Sequence, residues 1–351
     1  MKKIISITHV GFAICMAFSL LYAFIVVMHC FWHRASIYVS LSTKPVIAQI
    51  LAFPVLVGLI GFLISLLGLL LCRKANNNTV SIIRAFPFLL ILATSLLFAS
   101  AGSNMRQNMS SEYQSSSIRI VEWNTHDSFN EDNAKKIFHD YGADIAIFPE
   151  LGGYTKADDA KQRVTDIFVK AEIDPDLYDV FTSAPNAGNI APVTIIIKKT
   201  FARYTVETES AMTMYGTLYL RASSGEAPDI IGLHTAPPLP TMMAFWKRDL
   251  DFVCDLTKKN PDAIIIGDFN ATMRHGSLNN VATHSDVLSC LSSFANGTWP
   301  VKLPACFRAP IDHVLLPKNQ YDVENIEVRT LTSSDHAAVF VELYAKNDSK
   351  Q

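Results

Sequence analysis

Three long stretches in the N-terminal third of this sequence lack charged residues. No Asp, Glu, Lys or Arg lies between Lys3 and Arg34, between Lys44 and Arg73, or between Arg84 and Arg106. Each gap is long enough to cross a bilayer core, which needs roughly 20 helical residues. The length of the first gap and the two that follow argue against a cleaved signal peptide. We therefore expect three transmembrane helices, and their lack of charge argues against a transporter.

The cysteines and basic residues also lack two patterns. No two of the six cysteines have the Cys-x-x-Cys spacing that is typical of zinc sites. Cys290 and Cys306 form a disulfide or remain two free buried thiols, and both alternatives stay open at this stage. No run of Lys or Arg is longer than two. A protein that binds nucleic acid tightly normally presents a basic groove, so this argues against such binding.

Charge is divided unequally along the chain. Residues 1–117 carry eight Lys or Arg and one acidic residue, a net charge of +7, whereas residues 118–351 carry 22 and 31, a net charge of −9. Positive charge flanking membrane helices favours the cytoplasmic side. This rule predicts a multi-pass inner or plasma membrane protein with a cytoplasmic N-terminus and an extracytoplasmic C-terminal domain. Five residues support that orientation (Lys2, Lys3, Arg73, Lys74, Arg84) and three oppose it (Arg34, Lys44, Arg106).

The pattern predicts three regions. Residues 1–101 form a three-helix membrane anchor, residues 102–117 a Ser-rich linker, and residues 118–351 a catalytic domain. In the last region, strand–helix–strand units mix with runs of strands. Two packed sheets with outer helices, an α+β fold, are therefore expected rather than one parallel sheet. The predicted strands are 118–123, 144–148, 193–198, 217–222, 229–233, 263–266, 313–316, 326–331 and 338–344, and the helices 131–141, 155–171 and 242–257.

One stretch is central to the expected site, namely Ala263-Ile-Ile-Ile-Gly-Asp-Phe-Asn270. The apolar run predicts a buried strand, and Gly267 permits a sharp turn at its end. Asp268 can hold a water or a metal, and the Asn270 amide can donate to a phosphate oxygen. An ordinary Asx turn would also fit this stretch alone. Other strands end in the same way, however, and their polar residues are Asn124, Glu150, His234, Asp312 and Asp335-His336. Such repetition predicts one shared cleft.

In order, these motifs are Trp-Asn124, Pro-Glu150, His234, Gly-Asp268-Phe-Asn270, Ile-Asp312-His and Ser-Asp335-His336. This set resembles the endonuclease/exonuclease/phosphatase (DNase I-like) superfamily over about residues 118–345. A narrower resemblance is to bacterial membrane-anchored members associated with glycopeptide (teicoplanin/vancomycin) resistance. It rests on the helix layout and on Gly297-Thr-Trp-Pro300.

The resemblance implies a four-layered α/β/β/α sandwich that hydrolyses phosphate esters with Mg²⁺, or with Mn²⁺ as an alternative. Asn124, Glu150 and Asp335 would hold the metal, with Glu150 as the direct ligand. Asp268 would deprotonate the attacking water, and Asn270 would bind a phosphate oxygen. His336, its tautomer set by Asp335, would stabilise charge. His234 would be either the general acid or an ordinary loop histidine. Asp312 would support a histidine or a second metal. Arg308 would be either a substrate contact or a surface charge.

Three classes of substrate are considered, in order of decreasing agreement with the sequence. A domain tethered beside a bilayer meets lipid headgroups at high effective concentration, which favours a lipid-linked phosphate or pyrophosphate such as a polyprenyl carrier of the cell envelope. A sphingomyelinase-like phospholipase is second, and a surface endo- or exonuclease is third. A non-catalytic binding module is disfavoured because the full set of chemical roles is present. No obligate protein partner is indicated.

Overall fold

The computed structural model describes residues 2–72, 78–100, 117–152, 157–183, 190–207, 213–225 and 227–346. The predicted linker, except for Ser117, lies outside the described residues, as do three of the charges used for the orientation rule (Arg73, Lys74, Arg106). The boundaries of the three predicted regions and the orientation of the helices therefore stay predictions.

The N-terminal region is helical. It contains α1 (Lys2–Phe31), α2 (Ser36–Leu41), α3 (Ile47–Ala52), α4 (Pro54–Cys72) and α5 (Asn78–Ser100). Within the described residues, two segments are long and apolar enough to cross a membrane, Gly11–Phe31 and Pro54–Cys72, with hydropathies of 2.4 and 2.8. The apolar part of α5, Arg84–Ser100, is shorter. The expectation of three such helices is thus met for two.

These two helices differ from the core helices of a globular domain. Only 22% of the apolar window in α1 and 28% of that in α4 is buried. Large apolar side chains such as Phe18 and Leu67 are 63% and 59% exposed. A soluble protein rarely exposes such a wide apolar surface without a partner.

The described residues from 117 onwards form twelve strands and three α-helices, with short 3-10 turns between them. The helices are α6 (Glu131–Ala134), which continues as a π-helical turn (Lys135–Asp140), α7 (Ala157–Lys170) and α8 (Met243–Lys259). The strands are β1 (Ile118–Glu122), β2 (Ile145–Phe148), β3 (Tyr178–Thr182), β4 (Thr194–Lys198), β5 (Tyr204–Glu207), β6 (Thr217–Ala222), β7 (Ile230–His234), β8 (Ile264–Asp268), β9 (His284–Asp286), β10 (Asp312–Pro317), β11 (Tyr321–Thr330) and β12 (Ala337–Ala345).

The strands form two six-stranded mixed sheets. The first has the order β11-β12-β1-β2-β4-β3 and the second β5-β6-β7-β8-β10-β9. Only the pairs β1–β2 and β7–β8 are parallel among the described pairs. Helices cover the outer faces, α6 and α7 on the first sheet and α8 on the second. The α+β fold with two packed sheets is confirmed.

The apolar run at residues 263–266 shows why the sheets pack in this way. Ile264 and Ile266 face the core between the two sheets, whereas Ile265 faces α8. A strand that is buried on both faces needs continuous apolar residues rather than alternation. The equivalent position on the other sheet is taken by Ile147 of β2, which enters the same inter-sheet core.

The structure corrects two expectations. Strands β3, β5 and β9 were not predicted, and each lies at or next to a sheet edge. Cys290 and Cys306 are free thiols, so the disulfide alternative is wrong.

Gly267 provides a test of the strand end. Its φ is +146°, and a Cβ at this position would lie 1.9 Å from the carbonyl oxygen of Leu233 on the neighbouring strand. We expect Gly267→Ala to destabilise the domain by about 2–4 kcal/mol, because neither backbone can move freely. Thermal unfolding measures this as a lowered melting temperature. Gly225→Ala is the control, because no atom lies within 4 Å of its Cβ position. Equal melting temperatures for the two variants would contradict the argument.

Candidate active site

Three neighbouring strands of the second sheet place their polar residues in one row. Asp268 at the end of β8 lies opposite His234 of β7 on one side and opposite Asp312 of β10 on the other. All three side chains are buried. The row therefore forms a polar surface at one end of the strands of an otherwise apolar sheet.

The first sheet contributes Asn124 and Glu150 from the loops after its parallel pair. Asn124 Nδ2 donates to Glu150 Oε1 at 3.1 Å and to Asp268 Oδ2 at 3.0 Å. The amide thus joins the polar ends of the two sheets. Its oxygen accepts from the backbone N–H of His126 at 3.0 Å. Glu150 has a φ of +57°, so the chain turns sharply where its carboxylate enters the cleft.

His336 is held by Asp312. Its Nδ1 lies 2.9 Å from Asp312 Oδ2 and 3.0 Å from Oδ1. Burial alone would lower the pKa of His336, but the Asp312 carboxylate outweighs it, with help from Asp268, and raises that pKa to about 10. His336 is therefore an imidazolium at neutral pH. Its Nε2 lies 3.9 Å from Asp268 Oδ2.

Asp335 does not orient His336, contrary to the expectation from the sequence. Its Oδ2 accepts from Trp299 Nε1 at 2.9 Å, and its Oδ1 is buried without a hydrogen-bond partner among the described residues. Asp312, which is distant in sequence, takes the orienting position.

Asp268 has the titration behaviour of a general base. Burial and the nearby Asp312 carboxylate raise its pKa to about 7, although His336 and Asn124 oppose this. A base with a pKa near the working pH is well matched to proton abstraction. Behind it lies Glu122, fully buried and with neither carboxyl oxygen hydrogen-bonded to a described residue. Burial and the charges of Asp312 and Asp268 raise the pKa of Glu122 well above its usual value.

His234 lies in the cleft. Its Nε2 is 3.6 Å from Asp268 Oδ2 and 3.7 Å from Glu150 Oε1. Burial and the charge on His336 lower the pKa of His234 to about 3. The ring is neutral at physiological pH, which argues against the expected general acid and favours a hydrogen-bond donor.

Asn270 completes this side of the cleft. Its φ is +46°, and its backbone N–H donates to Asp268 Oδ1 at 2.7 Å. The side-chain Nδ2 donates to Thr235 O at 2.9 Å and lies 3.4 Å from His234 Nε2. The amide is thereby fixed beside both His234 and Asp268.

Arg308, the expected substrate contact, is hydrogen-bonded within the protein. Its guanidinium donates to Leu303 O at 2.7 Å, to Val301 O at 3.0 Å and to Thr330 Oγ1 at 3.3 Å. All three nitrogens are used within the protein. The guanidinium braces the loop that carries Trp299.

Two of the expected metal ligands, Glu150 and Asp335, lie next to one imidazole. Glu150 Oε2 is 3.5 Å and Asp335 Oδ1 is 3.7 Å from His126 Nδ1. Hard cations such as Mg²⁺ prefer oxygen ligands of this kind. As it lies, the Asn124 amide offers its nitrogen to Glu150, and ligation through its oxygen would require the amide to turn.

A second group of candidate ligands is buried. One ligand atom from each of Asp268, Asp312 and His336 lies within 4.8 Å of the others. His336 uses Nδ1 for Asp312, so Nε2 is the nitrogen that it would offer to a cation. Without a cation, the three side chains form an ion-pair network.

Two residues of the site were not identified from the sequence as functional. Trp299 contacts Asp335 through its indole N–H, and its ring centroid lies 6.4 Å from that of His336. Glu122 lies beneath the row of buried carboxylates. A charged residue in a strand whose neighbours are all apolar was the available signal for Glu122, whereas Trp299 was noted only as part of a motif.

The sequence of this chain matches a known protein family. A family model described as the Endonuclease/Exonuclease/phosphatase family matches residues 122–336, more than half of the chain. No curated protein sequence matches.

Three solved structures illustrate the similarity. TDP2 from D. rerio with a single-strand DNA product is 17% identical, with a TM-score of 0.49, over 66% of this chain and 100% of the other. The human Nocturnin catalytic domain with bound sulfate is 14% identical, with a TM-score of 0.46, over 66% and 94%. The inositol polyphosphate 5-phosphatase domain of SPsynaptojanin, with inositol (1,4)-bisphosphate and calcium, is 15% identical, with a TM-score of 0.44, over 65% and 83%.

The two aspartates next to His336 can be distinguished by titration. We expect Asp312→Asn to lower the pKa of His336 by about 2 units or more, because the charge that outweighs burial is removed. Asp335→Asn should change this pKa much less, because Asp335 hydrogen-bonds Trp299 instead. The measurement is the pH dependence of the His336 imidazole resonances by NMR in metal-free protein. A larger shift in Asp335→Asn than in Asp312→Asn would contradict this assignment.

Proposed function

Because this chain belongs to the endonuclease/exonuclease/phosphatase family, whose members are generally metal-dependent phosphoester hydrolases, we propose that it is a membrane-anchored phosphoesterase. Its substrate is a lipid-linked phosphate or pyrophosphate, such as a polyprenyl carrier, and its catalytic domain lies outside the cytoplasm. The observation that carries the enzymatic part is the buried row of His234, Asp268 and Asp312, completed by His336.

Each side chain has a role in attack of water on phosphorus. Asp268, with a pKa of about 7, accepts the proton of the attacking water. His336 is held as an imidazolium by Asp312 and stabilises negative charge on the phosphoryl oxygens. Asn270, fixed by Thr235, and neutral His234 donate hydrogen bonds to the same oxygens.

A divalent cation would bind at Glu150, with Asp335 and Asn124 as further ligands. When bound, Mg²⁺ or Mn²⁺ would neutralise phosphate charge and polarise the scissile bond. The protein's own part is to hold these oxygens at the edge of the first sheet, opposite Asp268 on the second.

The lipid part of the proposal is supported by the position of the apolar helices. The segment joining α1 to α4 ends at Phe53, whose ring centroid lies 6.3 Å from that of Trp299. Trp299 in turn lies 6.4 Å from His336. A substrate anchored in a bilayer around α1 and α4 therefore approaches from the side on which the cleft lies. The net charge of −9 over residues 118–351 disfavours a polyanion such as DNA.

The test uses the full-length protein in lipid nanodiscs with Mg²⁺, Mn²⁺ or EDTA. We expect metal-dependent phosphate release from a polyprenyl pyrophosphate, lost by about 100-fold or more in Asp268→Asn because the base is removed without a change of shape. Asp255→Asn is the matched control, since Asp255 is an exposed carboxylate on α8 that pairs with Lys258. Plasmid DNA and sphingomyelin are assayed in parallel.

The other outcomes each exclude part of the proposal. Nicking of DNA alone would identify a nuclease and overturn the charge argument. Cleavage of sphingomyelin alone would identify a phospholipase. Activity unaffected by EDTA or by Asp268→Asn would contradict the mechanism.

A further inference from the structure

The connection between α1 and α4, residues 32–53, is bound to the catalytic domain. Ser42 Oγ accepts from the backbone N–H of Gly276 at 2.9 Å, and Gln49 Nε2 donates to Pro238 O at 2.7 Å. His275 Nδ1 accepts from the N–H of Thr272 at 2.9 Å. The proton of His275 is therefore on Nε2, which donates to Ala48 O at 3.0 Å. These contacts fix the connection next to the cleft.

A cavity of about 220 Å³ lies between this connection and the loops of the second sheet. One wall is Ala52 and Phe53 of the connection. The opposite wall is formed by Pro237 and Leu239 after β7, and by Trp299. The volume equals that of about seven waters at roughly 30 Å³ each, but the lining is almost entirely carbon. Water is held poorly in such a space, whereas an apolar chain gains free energy by entering it.

The cavity adjoins the proposed catalytic residues. Asn270, which we place on a phosphoryl oxygen, is one of its lining residues. Trp299 separates the cavity from His336 and Asp335. A molecule with a phosphate beside Asn270 would therefore have its next atoms in the cavity.

We propose that this cavity binds the first carbons of the apolar chain of the substrate, so that the enzyme selects phosphoesters of long apolar alcohols. The inference rests on the proposed function and names the part of the substrate that is recognised. We assign a lipid chain as the occupant of the cavity because the segment that links α1 to α4 forms part of its wall. The exposed apolar sides of α1 and α4 are available to lipid.

The test compares two pyrophosphates that differ in chain length, dimethylallyl and farnesyl pyrophosphate, with the full-length protein in nanodiscs. Wild-type protein should have the higher kcat/KM for the farnesyl compound. Ala52→Trp fills the cavity, and we expect it to lower the farnesyl-to-dimethylallyl ratio by about tenfold or more. Leu239→Asp places a carboxylate on the opposite wall from a partly exposed position, and should lower the ratio as well.

Ala345→Trp is the control, because Ala345 is exposed at the end of β12 that is remote from His336. An unchanged ratio in both cavity variants, with melting temperatures retained, would overturn the inference. A wild-type enzyme that hydrolyses neither compound would instead contradict the proposed function. In that case, the binding of farnesyl phosphate tests the inference about the cavity. Weaker binding by Ala52→Trp than by Ala345→Trp would support it, and equal binding by the two variants would overturn it.

Discussion

Two buried carboxylates on neighbouring strands, Asp268 and Asp312, determine the polar arrangement of this protein. Isolated charges in such a position would cost several kcal/mol each. The structure offsets them with the imidazolium of His336 against Asp312 and with the amide of Asn124 against Asp268. Burial and the remaining Coulomb repulsion raise the pKa of Glu122. Residues that would do chemistry are therefore also those that make the buried charges tolerable, and substitutions among them should not be additive.

The backbone of the strand ends is unusual at the same places. Glu150 and Asn270 both have positive φ, and Gly267, shortly before Asn270, has a φ that side chains rarely adopt. Strained backbone persists only where the surroundings determine it strongly. Here the surroundings are two sheets whose inner strands are almost completely buried. The rigid apolar layers thus hold the polar loops in conformations that a free chain would avoid.

Sequence patterns were informative where burial is complete and uninformative at the edges. The run Ile264–Ile266 predicted its strand because both faces are buried. Strand β3 has only Tyr178 fully buried, so it lacks a distinctive pattern. Within the site, strand-end residues could be predicted because polar side chains interrupt apolar runs. Their partners could not, since Asp335 is adjacent to His336 in sequence but Asp312 is adjacent in space. Trp299 was recognised only as part of a motif, because its contact with Asp335 joins residues that are distant in sequence.

The docking of residues 32–53 means that chain order and folded unit do not coincide. Ala48 belongs to the apolar cluster beneath α8, although it precedes the first strand of the domain by a helix pair. A fragment that begins at residue 118 would expose this face to water and leave the Nε2–H of His275 without its acceptor. We expect such a fragment to be less soluble than the full protein and to differ from it in specificity, because one wall of the domain is missing. In this molecule, residues 32–53 therefore belong to the same packed unit as the domain that follows them in the sequence.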